Sequence, residues 1–534
     1  MGYSPADAAG AGHRKPAETD PALLAALAEP ATYGGVPVVV HETHASWVFV
    51  AGERAYKIKK PVALGFLDYS TLERRREACR EEVRVNRDLA PGIYLAVRAL
   101  RLTSTGLVFA PDEEAGTPAA EYAVEMRRFE EADTLAGLIA AGGLADDHIL
   151  AVARRLAAFH RDAPRVAGGG CEEVLGRFRR NLDELEHARG VLERPPGALR
   201  GFAEMFVGAH RHEIEARART GMVRDVHGDL RCEHVLAVPE VRVVDRIEFD
   251  PALRQIDIAC DLAFLTMDLE AKGQRWAAAR LLSAYRACGV DPGSPALLDF
   301  YAAHRALIRA KVDLVAAAEN PGERRGRLLE KASSMWKLAE RLCWRARGPL
   351  TIVVCGPSAS GKSTLAAELS ERSGLELLSS DVIRKGAAGL APTARAPAEL
   401  YSPAFNERTY RLLARRACQA IERGDGVIVD ATCRSRVERA PLFGRLARAG
   451  APRLVVRCKV PLALALERAA RRSEDARSAS DATAPVVTEQ HRLFEAITEL
   501  PREELIELET RVSLDDQIDL LTRATDSLLC MRAP

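Results

Sequence analysis

The chain of 534 residues lacks any apolar run of membrane-spanning length, and its first stretch, MGYSPADAAGAGHRKPAETDP, has no apolar signal core. A cytoplasmic protein with no membrane partner is expected, with residues 1–20, rich in Ala, Gly and Pro, disordered. Its 11 cysteines are scattered, with no C-x-x-C pair and no Cys/His cluster at zinc spacing. That excludes a disulfide scaffold and a structural zinc site and leaves buried, reduced thiols such as Cys260, Cys418 and Cys458. The net charge is only +1, which argues against nucleic acid as a partner, a local basic groove apart. Lysine is scarce beside arginine, so a lysine at a motif position carries more weight. Composition says nothing of oligomeric state.

The chain is too long for one core, so two or three domains are expected, and 47% hydrophobic with 28% charged residues describes an ordinary globular protein. The most specific stretch is Thr351 to Thr364, TIVVCGPSASGKST, which reads as a strand, a loop and the first turn of a helix. Gly356, Pro357, Ser358, Ala359, Ser360, Gly361, Lys362 and Ser363 fit G-x-x-x-x-G-K-[ST], with Thr364 following. The two glycines let the backbone wrap tightly and turn its N–H groups toward phosphate oxygens, and the helix adds its positive end. Lys362 is expected on the β- and γ-phosphates of ATP and Ser363 on Mg²⁺.

Upstream, PALLAALAE reads as a short helix with Asp20 at its N-cap. Three strand-like runs follow, 36–41, 46–51 and 55–60, the last two joined as a hairpin. On the third run Lys57 and Lys59 alternate with Tyr56 and Ile58, so both lysines share one face. A helix over 70–89 and strands over 94–102, 106–110 and 121–127 come next. Taken alone, the lysines read equally well as a basic strand on a solvated face. The order of elements is nevertheless similar to a protein-kinase small lobe, in which a strand lysine holds the α- and β-phosphates and pairs with a helix Glu. Lys57 or Lys59 would be that lysine, and Glu82 that Glu, with Glu77 and Glu81 as alternatives. Where such kinases carry a Gly-rich loop, this chain has Glu42-Thr43-His44-Ala45-Ser46.

Helices dominate from 134 to 221, and then comes Asp225-Val226-His227-Gly228-Asp229-Leu230, followed by Asp245 in VRVVDR and by Asp257 and Asp261 in IDIACDLAF. HGDL, a strand-terminal Asp and D-x-x-x-D-L-A resemble aminoglycoside phosphotransferases and choline-kinase-like enzymes. The resemblance implies that Asp229 orients or deprotonates the acceptor hydroxyl, His227 braces its loop, Asp245 binds magnesium and Asp261 holds the catalytic loop with help from Asp257. The family's metal-binding Asn falls on His234.

Gly348-Pro349 interrupts the helices and marks a boundary between residues 21–347 and 348–534. Beyond the P-loop, the strand 375–378 leads to Asp381 and Arg384, the strand 426–430 ends in Asp430, and a helix over 461–472 ends in arginines. Asp430 fits a second magnesium-site carboxylate. The pattern resembles small-molecule, polynucleotide and zeta-toxin-like P-loop kinases, which implies Asp381 as the base and Arg384 as the acceptor or phosphate ligand. The small, polar segment 473–484 resembles the lid of gluconate-kinase-like enzymes, with Arg468, Arg471 and Arg472, and more weakly Arg477, as lid cations.

The expected fold is α/β and α+β: an N-terminal bilobal protein-kinase-like domain and a C-terminal P-loop NTPase domain with a parallel sheet flanked by helices. The whole resembles bacterial fusions of an aminoglycoside-phosphotransferase-like domain with a P-loop kinase-like domain. The expected activity is ATP-dependent phosphate transfer from two nucleotide sites to hydroxyl groups of small molecules. Two other readings stand beside it: a P-loop kinase or ATPase regulated by a degenerate kinase-like module, and a polynucleotide 5′-kinase.

Overall fold

The computed structural model describes residues 20–64, 67–104, 106–114, 118–187, 197–472 and 483–532. The disorder expected for residues 1–20 falls, Asp20 apart, outside them. Asp20 caps the helix Pro21–Ala28, its carboxylate accepting from the Ala22 N–H at 2.9 Å. Packing gathers the chain into two units, one of residues up to Ala167 with Gly221–Pro292 and one of Gly168–Thr220 with Gly293 onward. The long helices Pro295–Glu319 and Glu323–Ala346 thus group with the P-loop body.

The first unit is built on a six-stranded antiparallel sheet. Its strands are β1 (Val38–Glu42), β2 (Ser46–Ala51), β3 (Arg54–Lys59), β4 (Tyr94–Thr103), β5 (Gly106–Pro111) and β6 (Glu121–Arg127), in the order β1-β2-β3-β6-β4-β5. Helix α1 (Leu72–Asn86) starts at Thr71, whose hydroxyl accepts from the Arg74 N–H. It lays Cys79 and Val83 on Ala99, Val124 and Val244. The helix ends three residues before the expected Leu89. Later in the unit, helix α2 (Ile258–Ala271) is buried nearly all round and meets Leu156, Leu230 and Leu281. Asp257 is its N-cap, accepting from the Ala259 N–H at 2.8 Å.

The second unit contains a five-stranded, wholly parallel sheet. The strands are β7 (Thr351–Cys355), β8 (Glu376–Ser379), β9 (Val427–Ala431), β10 (Arg453–Lys459) and β11 (Leu505–Glu509), in the order β8-β9-β7-β10-β11. Alternation along the strands feeds two cores: Val353, Val429 and Val455 face one side, Ile352, Val354, Ile428 and Val456 the other. The helices that matter for the site are α3 (Lys362–Ser373), α4 (Ser380–Ala387), α5 (Leu462–Arg472) and α6 (Leu514–Arg532). The central strand β7 opens directly into the phosphate-type loop, at the end of the sheet where parallel folds hold ligands.

Among the described residues no helix is long and apolar enough to cross a membrane.

Candidate active site

The loop after β7 turns because Gly356 and Gly361 take φ of +147° and +90°. A side chain at Gly356 would meet the Cys458 carbonyl at 2.7 Å, and one at Gly361 would meet Thr510 at 3.2 Å. Ala359 also takes positive φ, +63°, without that exemption. The loop is fixed from outside. The Gly356 N–H donates to the Thr432 carbonyl (3.2 Å), and the Ser358 N–H donates to the Gln490 side-chain oxygen (2.8 Å). The Thr510 hydroxyl donates to the Ser360 carbonyl (2.7 Å). Lys362 opens α3 and is buried.

Asp430, at the end of β9, accepts from the Ser363 hydroxyl. Burial raises its carboxyl, with Lys362 and Ser363 opposing and the charge of Asp381 adding. Its Oδ1 and the Ser360 hydroxyl are buried without a hydrogen-bond partner among the described residues. A hydroxyl and a carboxylate with an orphaned oxygen are the hard oxygen donors magnesium takes, and magnesium needs only one or two of them when phosphates and water supply the rest. The residues fit Mg²⁺ and a triphosphate.

Two cavities adjoin the loop. One, of about 580 Å³, is lined by Lys362, Ser363, Thr364, Arg468, Thr510 and Gln517 among others. The other, of about 340 Å³, is lined by Ser358, Asp381, Arg384, Tyr401, Asn406 and Arg434 among others. Asp381 lies at the second residue of α4, just past β8, and Arg384 one turn on. Arg384 donates to Asp381 at 2.6 Å and to Asn406 at 3.1 Å, and lies 4.7 Å over the Tyr401 ring. Arg468 donates to the Thr510 hydroxyl (2.9 Å) and carbonyl (2.7 Å), which holds its guanidinium beside Gly361. Arg471 lines the same cavity and pairs with Glu467. Arg472 ends α5, while Arg477 and nearly all of the expected lid lie outside the described residues.

In the first unit the structure chooses among the residues left open by sequence. Lys57 Nζ lies 2.8 Å from Glu82 and 2.8 Å from Asp245. Lys59 reaches Glu82 at 2.5 Å and also pairs with Glu248. Glu81 turns instead to Arg84 and Arg254. Burial alone would lower the Lys57 ammonium, but Asp245 and Glu82 hold it well above its ordinary value. Lys57 in turn holds Asp245 far below the usual carboxylate range. Asp245 sits at φ +62°, its N–H donating to the Tyr94 hydroxyl.

His227 is buried and braces the loop. It accepts from the Asp229 N–H on Nδ1 (3.2 Å) and donates from Nε2 to the Val244 carbonyl (2.8 Å). Asp261 receives the N–H groups of His227 (3.2 Å) and Gly228 (2.8 Å) and lies 3.1 Å from His160 Nε2. Burial would raise Asp261, but these partners bring it down to about 2. His234, expected as a metal ligand, has both ring nitrogens engaged within its own loop. Its Nδ1 donates to the Asp229 carbonyl (2.8 Å) and its Nε2 accepts from Arg231 (3.0 Å), so no lone pair is left for a metal. Arg231 also bonds the Asp229 carboxylate at 3.2 Å. In the segment that replaces a Gly-rich loop, the Thr43 hydroxyl closes the β1–β2 turn on Ser46.

Sequence reading missed Thr510, Gln490, Asn406 and Gln517. None sits in a motif: Asn406 comes from the helix Pro403–Glu422, Gln490 from the helix Ala484–Arg492, and Thr510 and Gln517 from the stretch beyond β11.

The structure is similar to a choline/ethanolamine kinase family protein from Mesorhizobium loti, at 15% identity over 61% of this chain and 98% of that one, TM-score 0.35. It is similar to a gluconokinase from Sinorhizobium meliloti (18%, 35% of this chain, 94% of that one, TM-score 0.25). It is also similar to an APS kinase of Mycobacterium tuberculosis in complex with AMPPNP and APS (20%, 33% and 96%, TM-score 0.26). Residues 351–497 match the family model of an AAA domain. The uncharacterized protein Rv2004c of Mycobacterium tuberculosis is 32% identical over 408 residues, 74% of this chain and 78% of that one, and a Mycobacterium bovis protein gives the same figures. The chain belongs to the family of these mycobacterial proteins, and its residues 351–497 carry the matched AAA domain.

Proposed function

We propose that the protein is an ATP-dependent phosphotransferase whose P-loop unit transfers the γ-phosphate to a hydroxyl of a small molecule. The single observation that carries this is the pair of cavities sharing one loop, with Lys362 and Ser363 lining the first and Ser358, Asp381 and Arg384 the second. In this reading Lys362, Arg468 and the loop amides hold phosphate charge. Ser363 and Asp430 hold Mg²⁺, which when bound neutralises charge on the phosphates. Asp381 accepts the acceptor's hydroxyl proton, and Arg384 fixes the acceptor or the transferring group. The kinase-like unit offers a second nucleotide site on Lys57, Lys59, Glu82 and Asp245, with Asp229 as its base.

A second reading has a specific observation behind it. Arg231 and His234 occupy the surroundings of Asp229, which favours a kinase-like unit that binds or senses a ligand and regulates the P-loop unit.

Calorimetry with a non-hydrolysable ATP analogue and Mg²⁺ tests the proposal. The full chain is expected to bind at a site lost in Lys362→Ala and, on the two-site reading, at another lost in Lys57→Ala. Binding undiminished by Lys362→Ala rejects the P-loop assignment.

A further inference from the structure

The cavity against the P-loop is lined at one part by Gly361, Lys362, Ser363 and Arg468, and elsewhere by Val512, Leu514 and Gln517. Phosphates belong to the helix N-terminus and the cations. A nucleobase is therefore left to an apolar wall with one amide in it, the usual make-up of a selective small-molecule site. Gln517 stands in the first turn of α6 and is 5% exposed. Its Nε2 donates to the Val512 carbonyl at 3.0 Å. A carbonyl only accepts, so the amide cannot be turned round without setting two oxygens against each other. That fixes Oε1 as the free end, and it is buried without a hydrogen-bond partner among the described residues.

We propose that Gln517 reads the six-position of a purine. Its Oε1 accepts from the exocyclic amino group of adenine and opposes the six-oxo oxygen of guanine or hypoxanthine, so the site selects ATP over GTP and ITP. The inference rests on the P-loop nucleotide reading above and adds to it the group that chooses the base.

The test compares Mg-ATP, Mg-ITP and the Mg complex of purine riboside triphosphate on the full chain, counting only binding that Lys362→Ala removes. ATP and ITP differ at the six-position and in the proton that the six-oxo form carries on N1, whereas purine riboside keeps adenine's bare N1 and carries no group at position six. Wild type is expected to bind ATP about tenfold or more tighter than ITP, with purine riboside triphosphate between them. The near-isosteric Gln517→Met is expected to close that gap from both sides, weakening ATP and relieving ITP of the opposed oxygen. Equal affinities in wild type, or an undiminished gap in Gln517→Met, overturn the assignment of Gln517. Should Gln517→Met fail to fold, the order of the three ligands on wild type decides. Absence of any Lys362-dependent binding is a different result, and it brings down the nucleotide reading itself.

Discussion

Lys57 and Glu82, 25 residues apart in sequence, form a 2.8 Å ion pair between β3 and α1, with Glu82 fully buried and shared by Lys59. Removing one partner of a buried pair strands the other charge. Glu82→Gln leaves Lys57 only Asp245 and Lys59 only Glu248, with a neutral amide between the two ammonium groups, and is expected to cost about 1–3 kcal/mol. Lys57→Met leaves Glu82 its bond to Lys59 and is expected to cost less. Urea unfolding of both variants checks the order.

Gly356 is the tightest point of the P-loop. Gly356→Ala sets a methyl group 2.7 Å from the Cys458 carbonyl at φ +147°, a backbone contact that no rotamer relieves. The expected loss is about 1–3 kcal/mol of stability, with nucleotide binding lost alongside. Gly361→Ala meets mainly side chains, Thr510 and Arg468, and is expected to be milder in stability. Thermal unfolding and nucleotide titration separate the two.

Asp381 and Arg384 divide into chemistry and binding. Asp381→Asn is expected to lower kcat by about 10²–10⁴ with acceptor binding retained. Arg384→Ala is expected to raise the acceptor KM by about 10–100-fold, because a guanidinium fork held by Asp381 and Asn406 is lost. Equal effects on kcat and KM in both variants would contradict this division.

Stability should fall in mild acid. Burial pushes the His227 imidazole down to about 4 and that of His304 to about 3, against an ordinary 6.5. The unfolded chain therefore binds more protons than the folded one below 6.5. Their contribution is complete above pH 6.5 and is lost as pH falls toward 4. Asp261, brought down to about 2 from 3.8, adds its loss only at still lower pH. Denaturant midpoints measured across this range are expected to fall, and His227→Gln to lessen the slope. An unchanged slope in that variant would contradict the assignment.

Much of this was legible in sequence where chemistry is local. The P-loop, the strand carrying Lys57 and the HGDL loop each compress their signal into a few adjacent residues. What was not legible depends on which distant segments meet. Glu77, Glu81 and Glu82 differ in sequence only by position, and α1 decides among them by the face it turns to β3. His234 read as a ligand by alignment of motifs, but Arg231, three residues earlier, occupies its ring nitrogen. Thr510 and Gln517 come to the loop from beyond β11, with no pattern around them to mark them.

The most direct test of the central claim follows γ-labelled ATP into small-molecule products in a bacterial metabolite extract, with wild type, Asp381→Asn, Lys362→Ala and Asp229→Ala. A labelled product is expected that Lys362→Ala and Asp381→Asn both abolish and Asp229→Ala leaves in place. A product that survives Lys362→Ala and Asp381→Asn but vanishes in Asp229→Ala would contradict the claim, and would move the chemistry to the kinase-like unit.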